Sequence, residues 1–91
     1  LVIVAVSIKR SEKRLLNGPN VVSRGFVYMK ESEDLIKNTE IAVREVVLHK
    51  LQSSKQFSTE ELKSAICDVV SPFLFNKTQR RPMILPIIME I

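Results

Sequence analysis

The chain opens on Leu1-Val2-Ile3-Val4-Ala5-Val6-Ser7-Ile8, and no other stretch constrains its fold as strongly. Branched side chains pack well on a pleated backbone. Here both alternating faces are apolar, with Val2, Val4, Val6 and Ile8 on one and Leu1, Ile3 and Ala5 on the other. A strand with one face in water alternates apolar with polar, so this run predicts a strand over residues 1–9 that is covered on both sides. The rest of the chain has to supply strands beside it and layers over it.

Lys9-Arg10-Ser11-Glu12-Lys13-Arg14 is polar and without apolar period, which predicts a hairpin connection, and Leu15-Leu16 begins a second strand paired with the first. Gly18-Pro19-Asn20 predicts a turn that ends this pairing, since Pro19 lacks a donor and Gly18 and Asn20 tolerate unusual backbone angles. Phe26-Val27-Tyr28 is expected as a short extended piece after it. Ser32, followed by Glu33 and Asp34, is a helix start in which a hydroxyl caps and two acids complement the dipole. That helix is predicted to run to about Gln52, with Leu35/Ile36, Ala42/Val43, Val46/Val47 and Leu51 on one broad face. Residues 53–56 form a linker.

Ser58-Thr59-Glu60-Glu61 is a capping box, with Phe57 before it placed to staple onto Leu62. Leu62, Ala65, Ile66, Val69, Val70, Phe73 and Leu74 then keep the helical period without a fault. Pro72 interrupts this helix, and because the stripe stays in phase a kink is expected rather than a restart. From Met83 to Ile91 the period changes to two, with Met83, Leu85, Ile87, Met89 and Ile91 on one face. Pro82 and Pro86 cannot donate to a ladder, so this last strand should have an edge or a bulge on at least one side. The predicted fold is α/β of the α+β kind: a small three-stranded sheet with two helices on it, in the order β-β-α-α-β, as a single domain over residues 1–91.

At 91 residues such a domain removes roughly 60 to 65% of its unfolded surface from water, enough for one modest core. Leu1, opening straight into a strand, suggests a fragment excised from a longer chain. The opening run is too short to span a bilayer and lacks the features of a signal peptide, so neither membrane anchoring nor secretion is expected. Cys67 is the only cysteine, which excludes an internal disulfide and fits a reducing, cytoplasmic setting. The net charge of +4 weakly favours polyanionic partners.

Catalytic chemistry is poorly represented. His49 stands alone near the end of the first long helix, where it interacts with the helix dipole or with solvent. Glu31, Glu33, Asp34, Glu40, Glu45 and Asp68 read as surface charge on or before helices, not as a catalytic pair. No Gly-rich phosphate loop follows the first strand. Arg24-Gly25-Phe26-Val27-Tyr28-Met29-Lys30-Glu31 fails as an aromatic RNA-binding strand, since Val27 stands where a small residue is needed and Glu31 where a ring should stack a base. Two basic clusters remain. Lys9/Arg10/Lys13/Arg14, interrupted by Glu12, reads as a solvated turn. Lys77/Arg80/Arg81 sits before a strand whose start Pro82 pins, and guanidinium groups held near a fixed backbone suit bidentate capture of carboxylate or phosphate. The candidate interdomain or RNA-phosphate contacts are Arg24, Lys77, Arg80 and Arg81, against the simpler reading of internal salt bridges.

Two blocks, Gly18-Pro19-Asn20-Val21-Val22-Ser23-Arg24-Gly25-Phe26-Val27-Tyr28 and Lys77-Thr78-Gln79-Arg80-Arg81-Pro82-Met83-Ile84-Leu85-Pro86-Ile87-Ile88-Met89-Glu90-Ile91, resemble the C-terminal domain of ribonuclease J. The resemblance implies a parent protein with a metallo-β-lactamase core and an inserted β-CASP domain, in which two zinc ions activate water to cleave RNA from the 5′ end or internally. It implies that this third domain carries no catalytic or metal-binding residues and no cofactor of its own. Its expected part is support of the active enzyme and assembly into homo- or hetero-oligomers, with RNA reached through the parent. Pro72 and the surroundings of Cys67 depart from the family's charged pattern in that helix, which leaves main enzyme and less active paralogue both open. The alternative class is a small basic module that itself binds RNA phosphates.

Overall fold

A computed structural model of the chain describes residues 1–24, 33–53 and 56–91. Its elements are β1 (Val2–Lys9), a 3₁₀ turn (Arg10–Glu12), β2 (Arg14–Ser23), α1 (Glu33–Gln52), α2 (Thr59–Thr78) and β3 (Ile84–Glu90). The predicted order β-β-α-α-β holds. The piece expected at Phe26-Val27-Tyr28, the Ser32 cap and linker residues 54–55 lie outside the described residues.

The sheet runs β2-β1-β3, so the doubly apolar opening strand is central. It pairs antiparallel with β2 and parallel with β3. Val2, Val4, Val6 and Ile8 are almost fully buried, under α1 and α2. Each helix answers with a four-residue step: Thr39, Val43, Val47 and Leu51 from α1, and Leu62, Ile66, Val70 and Leu74 from α2. The stripe in α2 is the predicted one, with Ala65, Val69 and Phe73 flanking it half-buried. Thr39 was not expected inside. Its hydroxyl donates to the Leu35 carbonyl at 2.7 Å, which satisfies the group locally and lets the methyl pack.

The cap of α2 is as the sequence indicates, since the Ser58 hydroxyl accepts from the Glu61 amide at 3.0 Å. Helix α2 continues through Pro72 without a restart and ends at Gln79, whose left-handed conformation (φ 60°) lets its N–H donate to the Phe75 carbonyl.

One local expectation fails. Gly18-Pro19-Asn20 does not end the pairing of β1 with β2; the strand passes through it and continues to Ser23 opposite Val2. The irregularity is absorbed as shifts of register between Ala5 and Ile8, beside a cis Gly18–Pro19 peptide and Gly18 at φ 93°. A Cβ on Gly18 would stand 2.7 Å from the Ala5 carbonyl oxygen, so only glycine lets β2 lie this close to β1. Breaker residues here build a bulge instead of a turn.

β3 is an edge strand, as its prolines required. Its side chains divide opposite to simple expectation. Ile84 and Ile88 pack toward the core, while the all-apolar row of odd-numbered residues points away from the helices.

Candidate functional site

The helices cover one face of the sheet only. On the other, the register sets Val22, Ile3 and Leu85 in one row across the three strands, then Asn20, Ala5 and Ile87, then Asn17, Ser7 and Met89. Among the described residues nothing is layered over them: Val22 is 48% exposed, Leu85 46%, Ile87 40% and Met89 60%, and Met83 and Ile91 at the ends of β3 are about three-quarters exposed. The second cover predicted for the opening strand is therefore absent among the described residues. What remains is a row-by-row apolar surface, richest over β1 and β3 and turning polar along β2 at Asn20 and Asn17. Contiguous apolar surface of this kind is characteristic of a contact with another surface.

The cationic candidates lie toward one end of the sheet. Lys77 is in the last turn of α2, where its charge complements the helix dipole, and its Nζ lies 6.0 Å from the centre of the Phe73 ring. The Arg81 guanidinium lies over Phe75, its Cζ 4.3 Å from the ring centre. Arg80 is held by its backbone N–H, which donates to the Thr78 hydroxyl at 3.2 Å. Arg24 follows β2, and its backbone exchanges both hydrogen bonds with Leu1, at 2.8 and 2.9 Å. Since Leu1 lies in the next row beyond Val2, and the Met83 carbonyl accepts from Val2 N–H, Arg24 and the Arg80–Arg81 segment flank the same end of the sheet. Two strand spacings, about 10 Å, separate β2 from β3.

Neither Lys77 nor Arg81 pairs with an acidic side chain among the described residues. The internal salt bridge is thus not what holds Arg81. The segment leads through exposed Met83 into the edge strand β3. Arg81 is held instead by its contact with the Phe75 ring.

The other basic cluster holds a residue that the sequence did not single out. Arg10 is no solvated turn residue: its guanidinium donates to the Phe57 carbonyl and to Glu90 Oε1, and it lies 4.2 Å over the Phe57 ring. Thr59 also donates to Glu90 Oε1, at 3.3 Å. This clasp joins the β1–β2 turn, the start of α2 and the end of β3. The Arg10 hydrogen bond holds the Glu90 carboxyl below the usual glutamate range, and Lys9 with Arg14 does the same for Glu12. Spacing gave no signal for a contact spanning eighty residues. Glu40 likewise departs from plain surface charge, because its Oε2 accepts from the Val21 amide of β2 at 3.1 Å.

No group of three or more His, Cys, Asp or Glu side chains that could hold a metal lies among the described residues. His49 is exposed near the end of α1. Burial and neighbouring Asp68 push the Cys67 thiol up, away from the thiolate a nucleophile requires. No helix among the described residues is long and apolar enough to cross a membrane.

Known proteins place the chain. Ribonuclease J2 of Bacillus subtilis (strain 168) is 42% identical over 92 residues, a match that takes in 100% of this chain and 16% of that protein. Ribonuclease J 2 of Staphylococcus aureus (strain NCTC 8325 / PS 47) is 45% identical over 89 residues, covering 98% of this chain and 16% of that protein. The chain thus spans about a sixth of the length of these relatives. The profile of the ribonuclease J C-terminal domain matches residues 1–91 in full. This chain belongs to the ribonuclease J C-terminal domain family.

Proposed function

We propose that this domain is the assembly and support domain of a cytoplasmic, zinc-dependent ribonuclease J that acts on RNA from the 5′ end and internally in mRNA decay and rRNA processing. In this reading the metallo-β-lactamase and β-CASP domains carry the zinc and the chemistry, and the C-terminal domain brings subunits together. The observation that carries the proposal is the open apolar face of the sheet. The central strand is apolar on both sides, the described residues cover one side, and the remaining length of the relatives offers ample surface to cover the other. Hydrophobic contact supplies most of the association energy of such interfaces. The ring-held Arg81, with Lys77, Arg80 and Arg24 near the same end, forms a cationic rim that selects an acidic counterpart and orients the contact.

The test is a ribonuclease J subunit carrying Leu85→Lys and Ile87→Lys. Two buried charges facing a partner cannot be tolerated, so sedimentation should show dissociated subunits while the domain stays folded, since both side chains already face solvent in the isolated chain. Unchanged oligomers would refute the proposal. The alternative, direct contact with RNA phosphates through the cationic rim, requires RNA binding by this chain alone that weakens steeply with salt. An apolar face several residues wide beside that rim favours protein over RNA.

A further inference from the structure

A sheet with an open edge invites another strand, and the backbone of this one shows how each edge is occupied. Val2 N–H donates to the Met83 carbonyl, and Ile91 N–H donates to the Ile8 carbonyl. With the parallel register of β1 and β3, these two bonds set the parity: the odd-numbered residues of β3 bond to β1, and the backbone groups of Ile84, Pro86, Ile88 and Glu90 point outward. Pro86, midway along this outward row, has no N–H to offer.

The opposite edge follows the same logic. Leu1 and Arg24 exchange both hydrogen bonds, so along β2 the groups of Val22 bond to β1 and those of Val21 point out. The outward N–H of Val21 is taken by Glu40 Oε2 from α1. Pro19, two residues earlier, has none.

We propose that Pro86 on one side, and Glu40 with Pro19 on the other, close the edges of this sheet to strand addition, so that a second copy of the chain cannot extend it edge to edge. If two β3 edges met antiparallel about a twofold axis between residues 86 and 88, Pro86 would stand opposite Ile88 of the second copy. That pair should exchange two hydrogen bonds and could make one, leaving an Ile88 carbonyl unpaired on each side and a proline ring where a donor belongs. The inference concerns the edges and stands apart from the assembly reading, which uses the face.

The experiment is therefore made in a chain whose face is already charged by Leu85→Lys and Ile87→Lys, so that contacts through the face cannot contribute. Into this background Pro86→Val is introduced to restore the missing donor. Glu40→Ala separately frees the Val21 amide, and Glu40→Gln retains an acceptor there. Circular dichroism and urea unfolding establish that each variant is folded. The expected result is self-association at least about tenfold tighter for Pro86→Val than for its background, the gain of roughly one hydrogen bond per side, with slowed amide exchange at residues 84–90. Glu40→Ala should associate with slowed exchange at Val21, and Glu40→Gln should behave as the background. Folded Pro86→Val and Glu40→Ala variants that associate no more than the background, with unchanged exchange on both edges, would overturn the proposal. So would a background that already pairs through β3 with Pro86 in place.

Discussion

Replacing Gly18 with alanine tests the unexpected passage of β2 through Gly18-Pro19-Asn20. The new methyl would lie 2.7 Å from the Ala5 carbonyl oxygen, 3.1 Å from the Asn20 amide nitrogen and 3.5 Å from Val6 Cα. All three are backbone atoms, two of them in the central strand, so no side-chain rotation relieves the contact. Holding an alanine at φ 93° costs about 1–3 kcal/mol. Moving the β1 carbonyl aside weakens neighbouring ladder bonds, each worth about 1 kcal/mol net. Against this, alanine lowers the entropy of the unfolded chain, which returns about 0.4–1 kcal/mol. The net loss is then about 2–4 kcal/mol, a large part of the roughly 5–15 kcal/mol that holds a domain of this kind together. Urea unfolding followed by circular dichroism reads it directly, with the midpoint falling and the slope unchanged. Gly18→Asn separates the two causes: asparagine tolerates positive φ better but carries the same Cβ, so it should recover only a minor part of the loss. A Gly18→Ala change costing less than about 0.5 kcal/mol, the range of an ordinary surface substitution, would refute the account of the bulge.

Two further predictions concern charge. Because Arg10 holds the Glu90 carboxyl below its ordinary value of 4.5, the clasp stabilises the fold above that pH and its contribution is lost as pH falls through the depressed value; Glu90→Gln should therefore flatten the acid limb of the melting temperature, and an acid limb equal to that of the unmodified chain would count against the clasp. Replacing Arg80 and Arg81 together with alanine should leave the fold intact and weaken oligomer formation in the larger ribonuclease. Normal assembly with weakened RNA binding and a shallower salt dependence would instead assign these arginines to phosphate.

Much of the fold was legible because it rests on local rules. The Ser58 hydroxyl cap, the unbroken stripe from Leu62 to Leu74 and the change to period two after Met83 each depend on neighbours a few residues away, and each is realised. The failures share a different cause. Gly18-Pro19-Asn20 has turn chemistry, and only its pairing with a strand already in place makes it a bulge. The Arg10–Glu90 contact and the Glu40–Val21 contact join distant segments, and spacing along the chain carries no trace of them. The candidate site was half visible. Both apolar faces of β1 were plain, and cover on both was expected; that the described residues cover only one could not be read from periodicity, which reports apolar faces and not their occupants. Lys77, Arg80 and Arg81 were found by composition, but the ring under Arg81 depended on where the C-cap at Gln79 turns the chain.

The most direct test of the open face uses its own methionines. Met83 and Met89 are 75% and 60% exposed in the isolated chain, and thioether oxidation depends on access of the oxidant. Peroxide footprinting read by mass spectrometry can compare the isolated domain with the same domain in assembled ribonuclease J. If the face is the assembly surface, both residues oxidise readily in the isolated chain and Met89, in the row beyond Ile87, is strongly protected on assembly, with protection lost in the Leu85→Lys, Ile87→Lys subunit. Equal oxidation of Met83 and Met89 in the isolated and assembled states would contradict the central claim.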